Sequence, residues 1–107
     1  IFRYVRYPIP AWFYKTKAWF FNIDTDRAIV SELQAEPWVP EGTLSNLDFN
    51  EFHKSFSVEQ FKANLQFAIN VDFKQTYMWG VEWWYLQKQM DHPEYWDLAR
   101  SVFRNAK

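Results

Sequence analysis

Residues 28–38 read Ala-Ile-Val-Ser-Glu-Leu-Gln-Ala-Glu-Pro-Trp, and this stretch decides the fold class. The apolar run at 28–30 predicts a buried strand, because β-branched residues favour strands. The run stops at Ser31-Glu32, and Pro37 and Pro40 prevent the strand from continuing. Glu32 is therefore predicted to lie where a buried strand opens into a loop. In parallel α/β proteins ligands bind at that end of a strand, where a carboxylate is costly to bury without a partner or a purpose.

The composition bounds the class of protein. With 107 residues the chain is one domain or part of one. Aromatic residues make up 22% of it, more than a core of this size needs, so many of them are predicted to line a cleft or to face other parts of a larger protein. A net charge of −1 without a basic block excludes the electrostatic footprint of a nucleic-acid-binding protein. No apolar run approaches the roughly 18 residues of a membrane span.

The same residues predict no metal or cofactor. The chain has no Cys, which removes a disulfide framework and a thiolate zinc site and leaves the compartment unknown. Its two histidines, His53 and His92, have no acidic neighbour at metal-ligand spacing. Two glycines in all make a phosphate-binding loop improbable.

Periodicity predicts three helices and a second strand. The helices are expected over about 10–21, 57–71 and 93–105, and the second strand over about 75–79. Ser57 is the predicted N-cap of the middle helix, with Gln60 reaching back in a capping box. Two apolar stripes are predicted core: Phe61, Leu65, Ala68 and Ile69 in the middle helix, and Tyr95, Leu98, Ala99, Val102 and Phe103 in the last.

Two segments between these elements are less regular. The long connection from Gln34 to Phe56 carries too many apolar residues for a linker and is predicted to pack as an ordered lid. Residues 81–90 fit either a loop or a short helix. Alternation of helices and strands predicts a parallel sheet. Because a two-stranded parallel sheet needs cover on both faces, the chain is expected to be a piece of a larger α/β domain.

Two motifs carry a resemblance to a known family. Ile29-Val30-Ser31-Glu32 resembles the end of the seventh strand in clan A (β/α)8-barrel glycoside hydrolases, where a Ser/Thr-Glu pair closes the strand and the Glu is the nucleophile. The run Tyr77-Met78-Trp79-Gly80, followed by Glu82-Trp83-Trp84, resembles the eighth strand and its loop, where a Trp forms the floor of the sugar subsite. The combination of Glu-Leu-Gln-Ala-Glu-Pro-Trp at 32–38 with Trp-Gly-Val-Glu-Trp-Trp at 79–84 looks like a bacterial branch of cellulase-like barrel proteins.

This resemblance implies an α/β fold, a partial (β/α)8 TIM barrel with its last two strands at about 28–32 and 75–79. Residues 1–107 are then the C-terminal fragment of a single TIM-barrel catalytic domain, since a whole barrel needs roughly 250 residues. The family's acid/base residue would lie upstream of Ile1, so the fragment alone is not expected to catalyse. One departure is Gln34, where many family members have Gly.

The resemblance also implies a function, retaining hydrolysis of a β-linked glycan. Glu32 is the implied nucleophile, and Trp79 the implied stacking surface for a sugar ring. Further candidate substrate-binding residues are Glu36, Trp38, Glu82 and Trp83.

Each of these residues also has an interpretation in which it contacts no substrate. Glu32 could simply cap a turn, Trp79 could be barrel core, Glu36 could be a solvated loop charge and Glu82 could form a structural salt bridge. Two of the three tryptophans Trp38, Trp83 and Trp84 are expected to be packing residues.

Two other function classes are compatible with the same sequence. One is a non-catalytic carbohydrate-binding or degenerate barrel protein with the same aromatic cleft. The other is a small aromatic-rich interaction module that folds by docking on a partner. For the main hypothesis the expected partners are a carbohydrate substrate and the remainder of the barrel chain, with neither nucleic acid nor a membrane span involved.

Overall fold

The computed structural model describes residues 9–38 and 53–105 of the chain. This part is mixed α/β, 61% helical with a two-stranded parallel sheet. The predicted lid lies outside the described residues over 39–52. In chain order the elements are α1 (Ala11–Phe20), a 3₁₀ turn (Thr25–Arg27), β1 (Ile29–Gln34), α2 (Val58–Val71), β2 (Gln75–Trp79), α3 (Val81–Gln89) and α4 (Glu94–Asn105).

Of the two hydrogen bonds that the predicted capping box of α2 implies, one is present in the structure. The Ser57 hydroxyl accepts a hydrogen bond from the Gln60 backbone N–H at 3.2 Å, as an N-cap does. The Gln60 side chain does not reach back to residue 57, because it donates instead to Oδ1 of Asn64 at 2.8 Å. The helix ends at Val71. The N–H of Asp72 still bonds the Ala68 carbonyl, and the left-handed backbone of Asp72 (φ 56°) turns the chain out of the helix.

The sheet consists of β1 and β2 side by side and parallel, with Ile29 opposite Gln75 and Gln34 opposite Trp79. The bounds predicted for the second strand are confirmed. The first strand continues two residues beyond its predicted end, because a bulge between Val30 and Leu33 accommodates one extra residue of β1 without ending the pairing. Glu32 therefore lies within β1 and not at its end.

The expectation that both strands are buried is wrong for the described part of the chain. Only Leu33 is buried in β1, and no residue of β2 is. Val30, Leu33 and Met78 pack against the core that α2 helps to form. The opposite face carries Ile29, Tyr77 and Trp79, all exposed, because no described element covers it.

The core is an aromatic cluster between the helices. Phe56, Phe61, Trp83 and Tyr95 are fully buried, and the Trp83 and Tyr95 rings meet edge to face with centroids 4.3 Å apart. The Tyr95 hydroxyl donates to the Phe56 carbonyl at 2.9 Å. Residues 81–89, left open by the sequence, form helix α3 because burial of Trp83 and Trp84 fixes one side of it.

Most of the predicted core stripes are confirmed, with two exceptions. Phe61, Leu65, Ala68, Tyr95 and Ala99 are buried. Ile69 and Phe103, at the edges of the two stripes, are 66% and 63% exposed because they lie beyond the arc of each helix that packs on a neighbour. The buried stripe of each helix is therefore narrower than predicted.

Candidate functional site

The two strands end at the same level, which brings the residues that follow them together. Gln34, the last residue of β1, pairs with Trp79, the last residue of β2. We call residues 34–38 and 79–82 the carboxyl edge. Every predicted site residue except Glu32 and Trp83 belongs to this edge, because parallel strands present their carboxyl ends to one side of a sheet.

Three successive backbone carbonyls on this edge accept hydrogen bonds from side chains. Asn64 Nδ2 donates to the Gln34 carbonyl at 2.9 Å, and the Trp84 indole N–H donates to the Ala35 carbonyl at 2.6 Å. The Gln34 side chain donates to the Glu36 carbonyl at 3.0 Å. These bonds tie the segment to α2 and α3, so the backbone that carries Glu36 is held in place before any ligand arrives.

Gly80 allows the two halves of the carboxyl edge to touch. Its φ of +128° is one that residues with a Cβ rarely adopt, and a Cβ at this position would lie 2.9 Å from Cβ of Glu36 and 3.0 Å from the Ala35 carbonyl carbon and oxygen. The turn from β2 into α3 therefore packs directly against residues 35–36. Only a glycine permits so close an approach.

Glu36 and Glu82 are neighbours on this edge, and Glu82 affects the pKa of Glu36. Burial, and to a smaller extent the negative charge of Glu82, raise the pKa of the half-buried Glu36 carboxyl. Glu82 lies in the first turn of α3 and is exposed. A carboxyl with a raised pKa holds its proton to a higher pH, and while it holds the proton Glu36 can donate a hydrogen bond.

Glu32 lies on the side of the sheet that no described helix covers. Side chains alternate along a strand, so Glu32 points away from Leu33, and Tyr77 and Trp79 point away from Met78. Val30 and Leu33 both pack on the core, and the two residues between them, Ser31 and Glu32, are both exposed, which the irregularity in pairing at this point allows. We call this side, with Ile29, Ser31, Glu32, Tyr77 and Trp79, the open face. It combines one exposed carboxylate with two aromatic rings that are 54% and 37% exposed.

A groove of about 590 Å³ runs from the end of β1 to the N-terminus of α2. Its lining includes Trp38, which is 65% exposed, and the amide side chains of Gln34, Gln60 and Asn64. An exposed indole beside several amides offers both an apolar surface and hydrogen-bonding groups, the combination that small polar ligands require.

The structure thus separates the predicted site residues into groups. Glu36 and Glu82 come together on the carboxyl edge, Glu32 and Trp79 share the open face, and Trp38 lines the groove. Trp83 was expected to contact substrate, but it is 0% exposed and packs on Tyr95 and Phe56, so that expectation is wrong for this structure. Trp83 and Trp84 are the two packing tryptophans among the three considered.

Sequence reasoning missed two residues that position this edge. Asn64 holds the end of β1, and the signal for it was the Gln60/Asn64 pair, four residues apart on one side of a helix. Gly80 is the second such residue. Its isolation, as one of two glycines in the chain, indicates a close backbone approach.

Three further findings bear on the site. Within residues 9–38 and 53–105, no group of three or more His, Asp or Glu side chains is arranged to hold a metal ion. In the same part of the chain, no helix combines the length and apolarity needed to cross a bilayer. The chain matches no protein-family model, no curated protein and no solved structure.

Proposed function

We propose that this chain is part of a retaining glycoside hydrolase that acts on a β-linked glycan, with Glu32 as nucleophile and Trp79 as the floor of a sugar subsite. The observation that carries the proposal is the open face. It presents a carboxylate and two aromatic rings from neighbouring parallel strands, on the side opposite to the helices.

The open face has the properties expected of the interior of a barrel. In a (β/α)8 barrel the helices form an outer ring, and strand side chains alternate between that ring and the interior. Here α2 connects the two parallel strands and covers the side of Val30, Leu33 and Met78. If the chain is part of such a barrel, further strands complete the sheet, and the open face of β1 and β2 forms one wall of a substrate cleft.

The chemistry follows from these placements. The Glu32 carboxylate would attack the anomeric carbon of the sugar, forming a covalent glycosyl-enzyme while the aglycone oxygen leaves with a proton from a second carboxyl group. Water then cleaves that intermediate. The acid/base residue would come from another strand, outside this chain. Glu36 and Glu82 on the carboxyl edge would bind sugar hydroxyls, and the raised pKa of Glu36 would let it keep a proton to a higher pH than an ordinary carboxyl group does.

A non-catalytic carbohydrate-binding protein is the second candidate. The groove favours it, because Trp38 with the amides of Gln34 and Asn64 offers a sugar ring an apolar surface and hydrogen bonds without any need for Glu32. The two candidates differ in what the loss of the Glu32 charge would do.

The test is Glu32→Gln in the full-length protein, with Glu94→Gln as the control. Gln keeps the shape of the side chain and removes the nucleophile, so kcat should fall by several orders of magnitude while oligosaccharide binding by calorimetry stays close to wild type. Glu94 lies in the first turn of α4 and is exposed, so its substitution should leave kcat unchanged. A Glu32→Gln enzyme with more than about a tenth of the wild-type kcat, ~1.4 kcal/mol of barrier, contradicts the assignment.

A further inference from the structure

Trp84 is hydrogen-bonded to both halves of the carboxyl edge. Its backbone N–H donates to the Gly80 carbonyl at 3.0 Å, and its indole N–H donates to the Ala35 carbonyl at 2.6 Å. The indole bond spans 49 residues of sequence and joins the start of α3 to the segment that follows β1. Both Trp84 and Ala35 are buried, so the loss of this donor would leave a carbonyl group without a partner away from water.

The indole ring of Trp84 is itself held by the core. It stacks on the ring of Phe61 of α2, with centroids 5.5 Å apart and an angle of 22° between the planes. Phe61 is fully buried in the aromatic cluster. Because packing fixes the orientation of the indole, its N–H fixes the place of the Ala35 carbonyl relative to the core.

The position of Glu36 depends on this hydrogen bond. Its backbone follows Ala35 directly, and its own carbonyl accepts a hydrogen bond from the Gln34 side chain at 3.0 Å. The burial that raises the pKa of its carboxyl exists because residues 35–36 lie directly against the Gly80 turn. Within residues 9–38 and 53–105, Glu82 is the ionisable group whose charge acts on this pKa. A segment released by the indole would let water reach the Glu36 carboxyl.

We infer that Trp84 is a positioning residue for substrate binding: its indole N–H, acting through the Ala35 carbonyl, sets where the Glu36 carboxyl meets a sugar hydroxyl. Trp84 is 3% exposed and does not itself contact the sugar. A carboxyl group fixed in advance binds a hydroxyl at a lower cost in ordering. The inference rests on the proposed function for the identity of the ligand, whereas the action of Trp84 on Glu36 does not depend on it.

The test is Trp84→Phe in the full-length protein, which removes the N–H donor and keeps an aromatic ring. Trp96→Phe is the control, since it removes an indole N–H from α4, where Trp96 packs with Tyr85 and Lys88. Carbon NMR of the Glu36 carboxyl, assigned with Glu36→Gln, should show its pKa falling toward the ordinary 4.5 in Trp84→Phe and unchanged in Trp96→Phe. With a β-glycoside, Trp84→Phe should raise KM about tenfold and change kcat less than about twofold, because Glu36 contacts hydroxyls and not the reacting carbon.

Three results would overturn the inference: a Glu36 pKa in Trp84→Phe equal to that of the wild type, an equal shift in Trp96→Phe, or a fall in kcat larger than the rise in KM. A wild-type protein that hydrolyses no β-glycoside contradicts the proposed function, and the NMR titration then decides the positioning role by itself. Circular dichroism establishes that each variant is folded. If Trp84→Phe is not, benzothienylalanine at position 84 decides, because it keeps the shape of the indole and replaces the N–H by sulfur.

Discussion

Replacing Gly80 by alanine should destabilise the protein and displace the carboxyl edge. The backbone at φ +128° strains any residue with a side chain, at about 1–3 kcal/mol. The added Cβ would also lie within 2.9–3.0 Å of Glu36 Cβ and of the Ala35 carbonyl group. That carbonyl cannot retreat freely, because the Trp84 indole holds it at 2.6 Å. Overpacking of this kind costs about 1–3 kcal/mol more.

The expected loss for Gly80→Ala is therefore about 2–6 kcal/mol of unfolding free energy, a large part of the ~5–15 kcal/mol of a typical domain. Urea denaturation of the full-length protein measures it. Val81→Ala is the matched control, since Val81 is the next residue and is 52% exposed, and it should change the free energy by no more than ~0.5 kcal/mol. A Gly80→Ala protein as stable as the Val81→Ala protein would refute the close packing of residues 35–36 on this turn.

Two further predictions concern the carboxyl edge and the open face. Since the pKa of Glu36 is raised in the folded state, the unfolded chain loses this proton first as pH rises. The wild-type protein therefore loses stability as pH rises from the ordinary carboxyl pKa of 4.5 to the raised value, and the loss persists above it. Urea melts should show that Glu36→Gln removes this loss and Glu82→Gln lessens it, whereas parallel pH profiles for all three proteins would contradict the coupling. Trp79→Ala should weaken oligosaccharide binding and turnover, while Trp96→Ala should not, because Trp96 packs with Tyr85 and Lys88. Equal sugar binding by wild type and Trp79→Ala, at equal folded fraction, would make Trp79 a packing residue.

The helices and strands were largely predictable because their signals are local. The hydroxyl of Ser57 at the start of α2 and the β-branched and aromatic residues of the strands act within a few positions of themselves. The continuation of β1 to Gln34 was not predictable, because the bulge depends on which residues of β2 lie opposite. Helix α3 was ambiguous for a related reason: Gly80 precedes it without a side-chain cap, and its stability comes from burying Trp83 and Trp84.

The candidate site was less predictable than the fold. Sequence alone placed Glu36 and Glu82 near the ends of neighbouring strands but gave no reason to pair them, since their proximity depends on the approach of Gly80 to residues 35–36. The sequence could not show which of the candidate tryptophans is exposed, because the burial of Trp83 and the exposure of Trp38 depend on where the helices pack. The Asn64 bond to the Gln34 carbonyl spans 30 residues, so the Gln60/Asn64 pair within α2 does not reveal which strand Asn64 holds.

The most direct test of the proposed function is to identify the residue that becomes covalently attached to sugar. The full-length protein would be incubated with a series of 2-deoxy-2-fluoro-β-glycosides that carry a dinitrophenolate leaving group, which trap the glycosyl-enzyme of a retaining hydrolase. Peptide mass spectrometry should then find one fluoroglycosyl group on Glu32 and none in the Glu32→Gln protein. A label on Glu36, on Glu82 or on any other residue, or hydrolysis of β-glycosides with inversion and no label, would contradict the assignment.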